Sequence, residues 1–269
     1  MKISIITTTK NNGKTIEDTL KSVLRQSYAN IEHIVKDAVS EDDTPAICRE
    51  YQQKYYTPDN GRGIRTMKFI SGKDDGIYDG MNQGVRAATG DVVGILNADD
   101  FFTSDDVLEL VAGEFAAHPE LEAVYGDIHF VAAGATLSEP GRCTRYYSSA
   151  MFRPWLLRFG FMPAHPGFYV RREVYERYGL YDTAFRTSSD FEWIVRLFGP
   201  RRIRAKYIRK DIVTMRMGGE TTRDMAAKRK GNDDVVRALK KHGIFTCDLF
   251  KYVRYAYKYA EILIGKIFH

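Results

Sequence analysis

An apolar run, Val92–Leu96, empties into Asn97-Ala98-Asp99-Asp100. A buried strand that delivers acids at its carboxyl end marks where an open α/β sheet places its ligand site. Two neighbouring carboxylates repel one another unless a cation or a hydrogen-bond donor lies between them. A hard divalent ion, Mg²⁺ or Mn²⁺, takes oxygen ligands and is commonly shared with substrate phosphates. Asp99 and Asp100 are therefore the expected metal ligands, and either could be the direct one. Asn97 adds a carbonyl oxygen without charge. The competing reading makes both acids caps of the next helix, although Asp105 and Asp106 already open one nearby.

Other residues able to do chemistry are scattered along the chain. Asp37 ends the second expected strand, Ile31–Lys36, and Asp74 sits in a loop with glycine on either side. Asp190 opens a segment whose apolar side is Phe191, Ile194, Val195 and Phe198. A first-turn acid there is also what the helix dipole favours. His165 lies between Pro163 and Pro166. Met215–Arg223 is a glycine-bearing loop flanked by arginines, and backbone amides and guanidinium both suit phosphate oxygens. Arg216 and Arg223 are the candidates there, with plain surface charge as the alternative.

Strands alternating with helices must position these groups, which predicts a mostly parallel sheet with helices on both faces. Ile3–Thr9 reads as a buried first strand and Thr15–Gln26 as a helix, with Ile16, Leu20, Val23 and Leu24 at helical spacing. Ile31–Lys36 is the second strand. Asp43-Thr44-Pro45 signals the next helix through a cap residue and an early proline. Thr66–Ser71 and Asp91–Leu96 are further strands, separated by the helix Tyr78–Ala88. Ser104-Asp105-Asp106 caps a helix that runs to His118, and Glu122–Val131 is a strand. Ala132–Arg158 reads as loops and short strands, and Lys54–Arg65 as a surface loop.

The chain has 269 residues, enough for one sizeable core plus an extension. Its three cysteines, Cys48, Cys143 and Cys247, are odd in number and far apart, which fits neither a disulfide framework nor zinc. The start turns polar at Thr7-Thr8-Thr9-Lys10-Asn11, too soon for a signal-peptide core. No run approaches the ~20 apolar residues of a spanning helix. A cytoplasmic location is expected. The net charge of +5 is uneven: residues 223–269 hold eleven Lys/Arg against five Asp/Glu, so the remainder is nearly neutral. A neutral body argues against nucleic acid as the partner.

The run Gly76-Ile77-Tyr78-Asp79-Gly80-Met81-Asn82-Gln83-Gly84, followed by a strand and Asn97-Ala98-Asp99-Asp100, resembles the donor-site signature of family 2 glycosyltransferases. The bacterial members that build surface polysaccharides are the most similar. His165-Pro166-Gly167, Ser188-Ser189-Asp190 and Met217-Gly218-Gly219 fit the same family in order, over about residues 2–240. The resemblance implies the three-layer, Rossmann-like glycosyltransferase-A fold, with 1–222 as catalytic domain (about 1–130 donor half, 131–222 acceptor half). It implies a nucleotide-sugar donor, most naturally a UDP-sugar, and a divalent cation, Mn²⁺ or Mg²⁺. The donor residues would be Thr8, Lys10, Asp37, Asp74, Asn97, Asp99 and Arg216. Asp190 would be the general base of an inverting transfer to a glycan or lipid-linked glycan, and His165 would line the acceptor side. Two departures stand out: Lys10 where many relatives carry an aromatic residue, and Asn97 where they often carry Asp. They favour a rival reading as a catalytically weak assembly partner. A sugar-nucleotide nucleotidyltransferase is a second rival, with Asn11-Asn12-Gly13-Lys14 a faint echo of its phosphate loop.

Residues 223–269 form the expected helical tail. At 100° per residue, Phe245, Leu249, Tyr252, Val253, Ala256, Ala260, Leu263, Ile264 and Ile267 share one face, opposite Lys251, Arg254 and Lys258. Such a stripe suits a membrane interface, which would make the protein peripheral on the inner face of the cytoplasmic membrane. It equally suits the protein's own core or a second copy in a homodimer.

Overall fold

The computed structural model describes residues 1–56, 65–218 and 225–247, together with Phe250 and Val253. Among these, nine strands form one sheet: β1 (Ile3–Thr9), β2 (Ile31–Asp37), β3 (Arg65–Ser71), β4 (Val92–Ile95), β5 (Phe101–Phe102), β6 (Ala123–Val131), β7 (Arg145–Tyr147), β8 (Phe168–Arg171) and β9 (Ala205–Arg216). Their spatial order is β3-β2-β1-β4-β8-β6-β9-β5, with β7 added beside β6. The first four are mutually parallel, and β8 then runs antiparallel to both β4 and β6. Reversal at β4/β8 ends the parallel half of the sheet, and the strand ends around it are where such a sheet binds ligand.

The helices are α1 (Ile16–Leu24), α2 (Thr44–Tyr55), α3 (Ile77–Ala87), α4 (Val107–Ala117), α5 (Arg172–Tyr178), α6 (Ser189–Phe198) and α7 (Met225–Lys241). They cover both faces, as near-continuous apolar strands require. Ile6, Ile34, Val93 and Ile95 meet α3, α5, α6 and α7 on one side. Ile3, Ile5, Ile31 and Val92 meet α4 and Val23 of α1 on the other. A β-carbon on Gly84 would lie 2.4 Å from Ile6 Cγ2, so α3 rests on β1 at a distance that only glycine permits.

The five strands given bounds from the sequence, β1, β2, β3, β4 and β6, lie within a residue or two of their expected positions, β5 and β9 were not expected, and the expected caps differ. Asp43 precedes α2 but makes no side-chain cap bond. Asp42 does that work instead, accepting from Thr44 N at 3.0 Å and Gly13 N at 2.8 Å. Helix α4 is capped across space, by Gln26 Oε1 accepting from Leu108 N at 3.0 Å. Asp99 and Asp100 do not cap α4, because β5 intervenes before it starts. Residues 57–64 of the expected surface loop, Gly219–Arg223 and most of the tail stripe lie outside the described residues.

Helix α7 packs Val235, Ala238 and Leu239 into the core beside α6. The join is electrostatic as well. Glu192 of α6, fully buried, accepts from Arg196 Nη2 at 2.5 Å, Lys241 Nζ at 2.9 Å and His242 Nε2 at 2.7 Å. Burial alone would push its pKa up, but these three partners override that and hold it down at about 2. A depressed folded pKa contributes stability above the unfolded value of 4.5, lost as pH falls toward 2. Glu192→Gln should therefore destabilise the fold by about 3 kcal/mol at neutral pH. Thermal unfolding of wild type should lose more between pH 5 and pH 2 than that of the variant; equal losses would show that Glu192 is not the linked group.

Candidate active site

Parallel register brings the carboxyl ends of β1, β2 and β3 level, pairing Thr9 with Asp37 and Asp37 with Ser71. Asp37 is fully buried, and its carboxylate accepts from Ser40 N at 3.2 Å, from Ser40 Oγ and from Ser71 Oγ at 2.7 Å. It thereby fixes the loop after β2. In that loop Val39 adopts φ 56°, a left-handed conformation that a β-branched residue takes only under strain, and its side chain is exposed. Asn11, also left-handed at φ 54°, donates its N–H to Ser40 Oγ at 2.8 Å and accepts from Glu41 N at 2.9 Å. Lys10 beside it is exposed.

Sequence reading missed the charge beneath this edge. Lys36 is fully buried, and its Nζ donates to Asp37 O at 2.8 Å, Gly72 O at 2.6 Å and Asp74 Oδ2 at 3.3 Å. Asp74 Oδ1 in turn accepts from Gly76 N at 3.1 Å, just before α3. The available signal was a lysine next to Asp37 at the end of an expected strand, of which every residue is buried. Gly80 keeps the contact tight: a β-carbon there would meet Asp74 Oδ2 at 3.1 Å and Thr8 Cγ2 at 3.3 Å.

Among the described residues, two buried oxygens at this edge have no partner, Thr8 Oγ1 and Asn97 Oδ1. Each lies two residues beyond the paired Ile6 and Ile95. A buried polar atom left bare costs free energy, so native proteins leave one only for a reason such as a ligand. Asn97 spends its amide on Asp100, donating from Nδ2 at 2.9 Å. Asp100 is wholly buried and also accepts from Arg216 N at 3.3 Å. Burial above all, then the charge of Asp99, raises its pKa far above the usual carboxylate range. Asp99 is partly exposed. The two acids expected to act together thus occupy different settings: Asp99 at the surface of the edge, Asp100 behind it.

Arg216 departs from its expected place on phosphate. Its guanidinium is buried and donates to Asp99 O at 2.6 Å, Ala135 O at 2.6 Å and the Asp18 carboxylate, over the face of Phe101. It braces the acidic turn from behind. Among the described residues no group of three or more acidic, histidine or cysteine side chains could alone hold a metal ion. The donor set of Asp99 and Asn97 Oδ1 fits an ion that fills its remaining positions with water and phosphate oxygens.

Across the edge, Asp190 stands partly exposed in the first turn of α6. Its Oδ1 accepts from Tyr78 Oη at 2.8 Å, so it binds another helix and not its own amides. Tyr78 and Asn82, one turn apart on α3, were not singled out from sequence. Asn82 forms a two-way amide clamp with Tyr181, donating to its O at 2.9 Å and accepting from its N at 2.9 Å. Tyr181 Oη bonds His165 Nε2 at 2.8 Å and Tyr175 Oη at 3.0 Å. His165 is buried, which lowers its pKa, while the charge of Asp190 opposes the shift. The imidazole is therefore neutral at neutral pH and sits behind Asp190 within this aromatic network.

The internal role of Arg216 is measurable. Arg216→Lys should cost about 2 kcal/mol in urea denaturation, because one ammonium cannot reach all the acceptors the guanidinium serves. A variant as stable as wild type would return Arg216 to a ligand role.

Known proteins resemble this chain in sequence and in fold. The PGL/p-HBAD biosynthesis glycosyltransferase of Mycobacterium bovis is 27% identical over 205 residues, 76% of this chain and 73% of that one. Among solved structures, Staphylococcus aureus TarS 1–349 matches with a TM-score of 0.58 and 16% identity, covering 80% of this chain; the chain spans 60% of it, less than two thirds. The mannosyltransferase PcManGT of Pyrobaculum calidifontis, solved with GDP-Man and Mn²⁺, matches with a TM-score of 0.61 and 21% identity, over 96% of this chain and 69% of that one. Likeness at such identity establishes the fold, of the glycosyltransferase-A type, and a sequence model for Glycosyl transferase family 2 matches residues 4–179. With that match over most of the chain, the acid-bearing edge belongs to a member of glycosyl transferase family 2, a glycosyltransferase.

Proposed function

We propose that the protein transfers one sugar from a nucleotide sugar, a UDP-sugar above all, to a hydroxyl of a glycan or lipid-linked glycan, inverting the anomeric carbon. The observation that carries this is the pair of bare buried oxygens, Thr8 Oγ1 and Asn97 Oδ1, at the edge shared with Asp37, Asp74 and Asp99. TarS also matches in complex with UDP-GlcNAc, which supports a nucleotide-sugar donor.

In this reading Asp37 and Asp74 hold the nucleoside from below and Thr8 supplies a hydroxyl. Lys10, exposed at the mouth, lies over the base or the phosphates. Asp99 and Asn97 would hold one Mg²⁺ or Mn²⁺, with Asp100 behind them. Such an ion, when bound, supplies Lewis-acid neutralisation of the departing diphosphate. Asp190 takes the proton of the acceptor hydroxyl as its oxygen bonds to the anomeric carbon and the bond to the diphosphate breaks. Attack from the face opposite the leaving group gives inversion. Tyr78 fixes Oδ1 of Asp190 and so aims the other oxygen at the acceptor, while His165 backs this side of the cleft.

Calorimetric titration with a panel of nucleotide sugars, with and without Mn²⁺, tests the donor. UDP-sugar binding should require the ion, and Asp99→Asn should remove that requirement together with the affinity. Binding unchanged in the variant would overturn the donor assignment. Asp190→Asn should keep donor affinity within a few-fold and lower turnover about a hundredfold or more, the scale of a lost positioned base. Tyr78→Phe should lower turnover about tenfold with donor affinity unchanged, the worth of one hydrogen bond to a charged group. Near wild-type turnover by Asp190→Asn would place the base elsewhere.

A further inference from the structure

An aromatic corner lies apart from the donor edge. Met151 is 67% exposed, Trp155 59% and Phe245 70%, the three most exposed large apolar side chains among the described residues, and with Val253 at 45% they come from two segments about ninety residues apart. Those segments touch. Trp155 stands edge-on to Phe159 with ring centroids 6.0 Å apart, Phe159 meets Phe250 at 4.5 Å, and Phe250 meets Phe245 at 6.1 Å. Thr246 Oγ1 donates to Arg158 O at 2.9 Å, which pins the second segment onto the first.

The charge of the first segment has one sign. From Pro140 to Pro163 the chain holds four arginines, Arg142, Arg145, Arg153 and Arg158, and no acidic residue. The second segment, residues 240–253, is basic in sequence as well, with Lys240, Lys241 and Lys251 against Asp248. An exposed patch of this kind marks an interaction surface. Aromatic rings with an apolar body and a polar handle, rimmed by basic side chains, suit the boundary between lipid headgroups and acyl chains. Trp155 is the type of side chain that settles at that depth.

We propose that Met151, Trp155, Phe245 and Val253 form a docking surface for an anionic lipid bilayer, with Arg153 and Arg158 meeting the headgroups. The surface is built by the body and the tail together and does not depend on the tail stripe alone. It is independent of the donor chemistry. For a lipid-linked acceptor, it would bring the segment that ends at His165 against the bilayer in which that acceptor is anchored.

The chain's two tryptophans make the test specific. Trp193 is buried among Tyr175, Tyr181 and Phe168, so a change in emission on adding vesicles reports Trp155. Full-length protein mixed with phosphatidylglycerol–phosphatidylcholine vesicles at low salt should shift its emission to the blue and be quenched by brominated acyl chains. It should do neither with phosphatidylcholine alone. Trp155→Phe should abolish the shift yet retain most sedimentation with anionic vesicles. Trp155→Ala with Phe245→Ala should weaken sedimentation about tenfold or more while leaving the thermal midpoint unchanged, since both side chains are exposed. Emission that ignores the vesicles, or sedimentation that the double variant keeps, would overturn the proposal. So would a concentration-dependent dimer lost in the double variant without any vesicle binding, which would make the corner a contact between two copies.

Discussion

Lys36 places a full positive charge where water does not reach, at the floor of the sheet's functional edge. A buried ammonium survives only with partners on several sides. Its partners are the carbonyls of Asp37 and Gly72 and the carboxylate of Asp74, which come from the ends of two neighbouring strands and the loop beyond. One cation therefore decides where the loops after β2 and β3 can go. Arg216 repeats the device at the other side of the edge, gathering Asp18, Asp99 and Ala135 from three distant parts of the chain. Both basic groups lie behind the edge, Lys36 paired with the Asp74 carboxylate and Arg216 with that of Asp18. The surface that faces a ligand is left acidic and already shaped.

Helix α3 connects this edge with the opposite wall. Its N-terminus receives Asp74 through Gly76, its first turn sends Tyr78 to Asp190, and its second sends Asn82 to Tyr181. Gly80 and Gly84 let it lie against Thr8 and Ile6 at distances a side chain would forbid. The short motif Gly76–Gly84 is thus a set of contacts on one rigid rod, and a shift of α3 would move both halves of the cleft together.

Strands of the parallel half were readable in the sequence because they are buried almost throughout between stretches of helical spacing, as Ile3–Thr9 and Ile31–Asp37 show. The strand-end acids were readable for the same reason. What failed were assignments that depend on distant partners. Asp43 has the right residue type for a cap, but Asp42 points the right way; α4 takes its cap from Gln26, some eighty residues earlier. Arg216 looked free in a loop and is instead the end of a long strand tied to Asp18. Residues 132–158 had no period to read, since they are held by single long-range bonds. Examples are Ser149 N to Asp127 Oδ1 at 2.6 Å and Tyr147 Oη to Met162 O at 2.7 Å. Family 2 likeness pointed to Asp37, Asp74 and Asp190 as candidates, and only the structure could show Lys36 and Tyr78 bonded to Asp74 and Asp190.

The clamp on Glu192 makes the C-terminal helix a structural member of the cleft. Lys241 and His242 hold the helix that carries Asp190 in its first turn, and Phe245 at the aromatic corner comes only three residues after His242. Ile244, between them, packs against the core. The same short span therefore works as a lever with one arm on the wall of the cleft and the other at the outer surface. Shortening the chain ahead of Ile244 would disturb both arms at once. A cut beyond Cys247 would instead leave the clamp standing and take away only the distal end of the corner, Phe250 and Val253 with it.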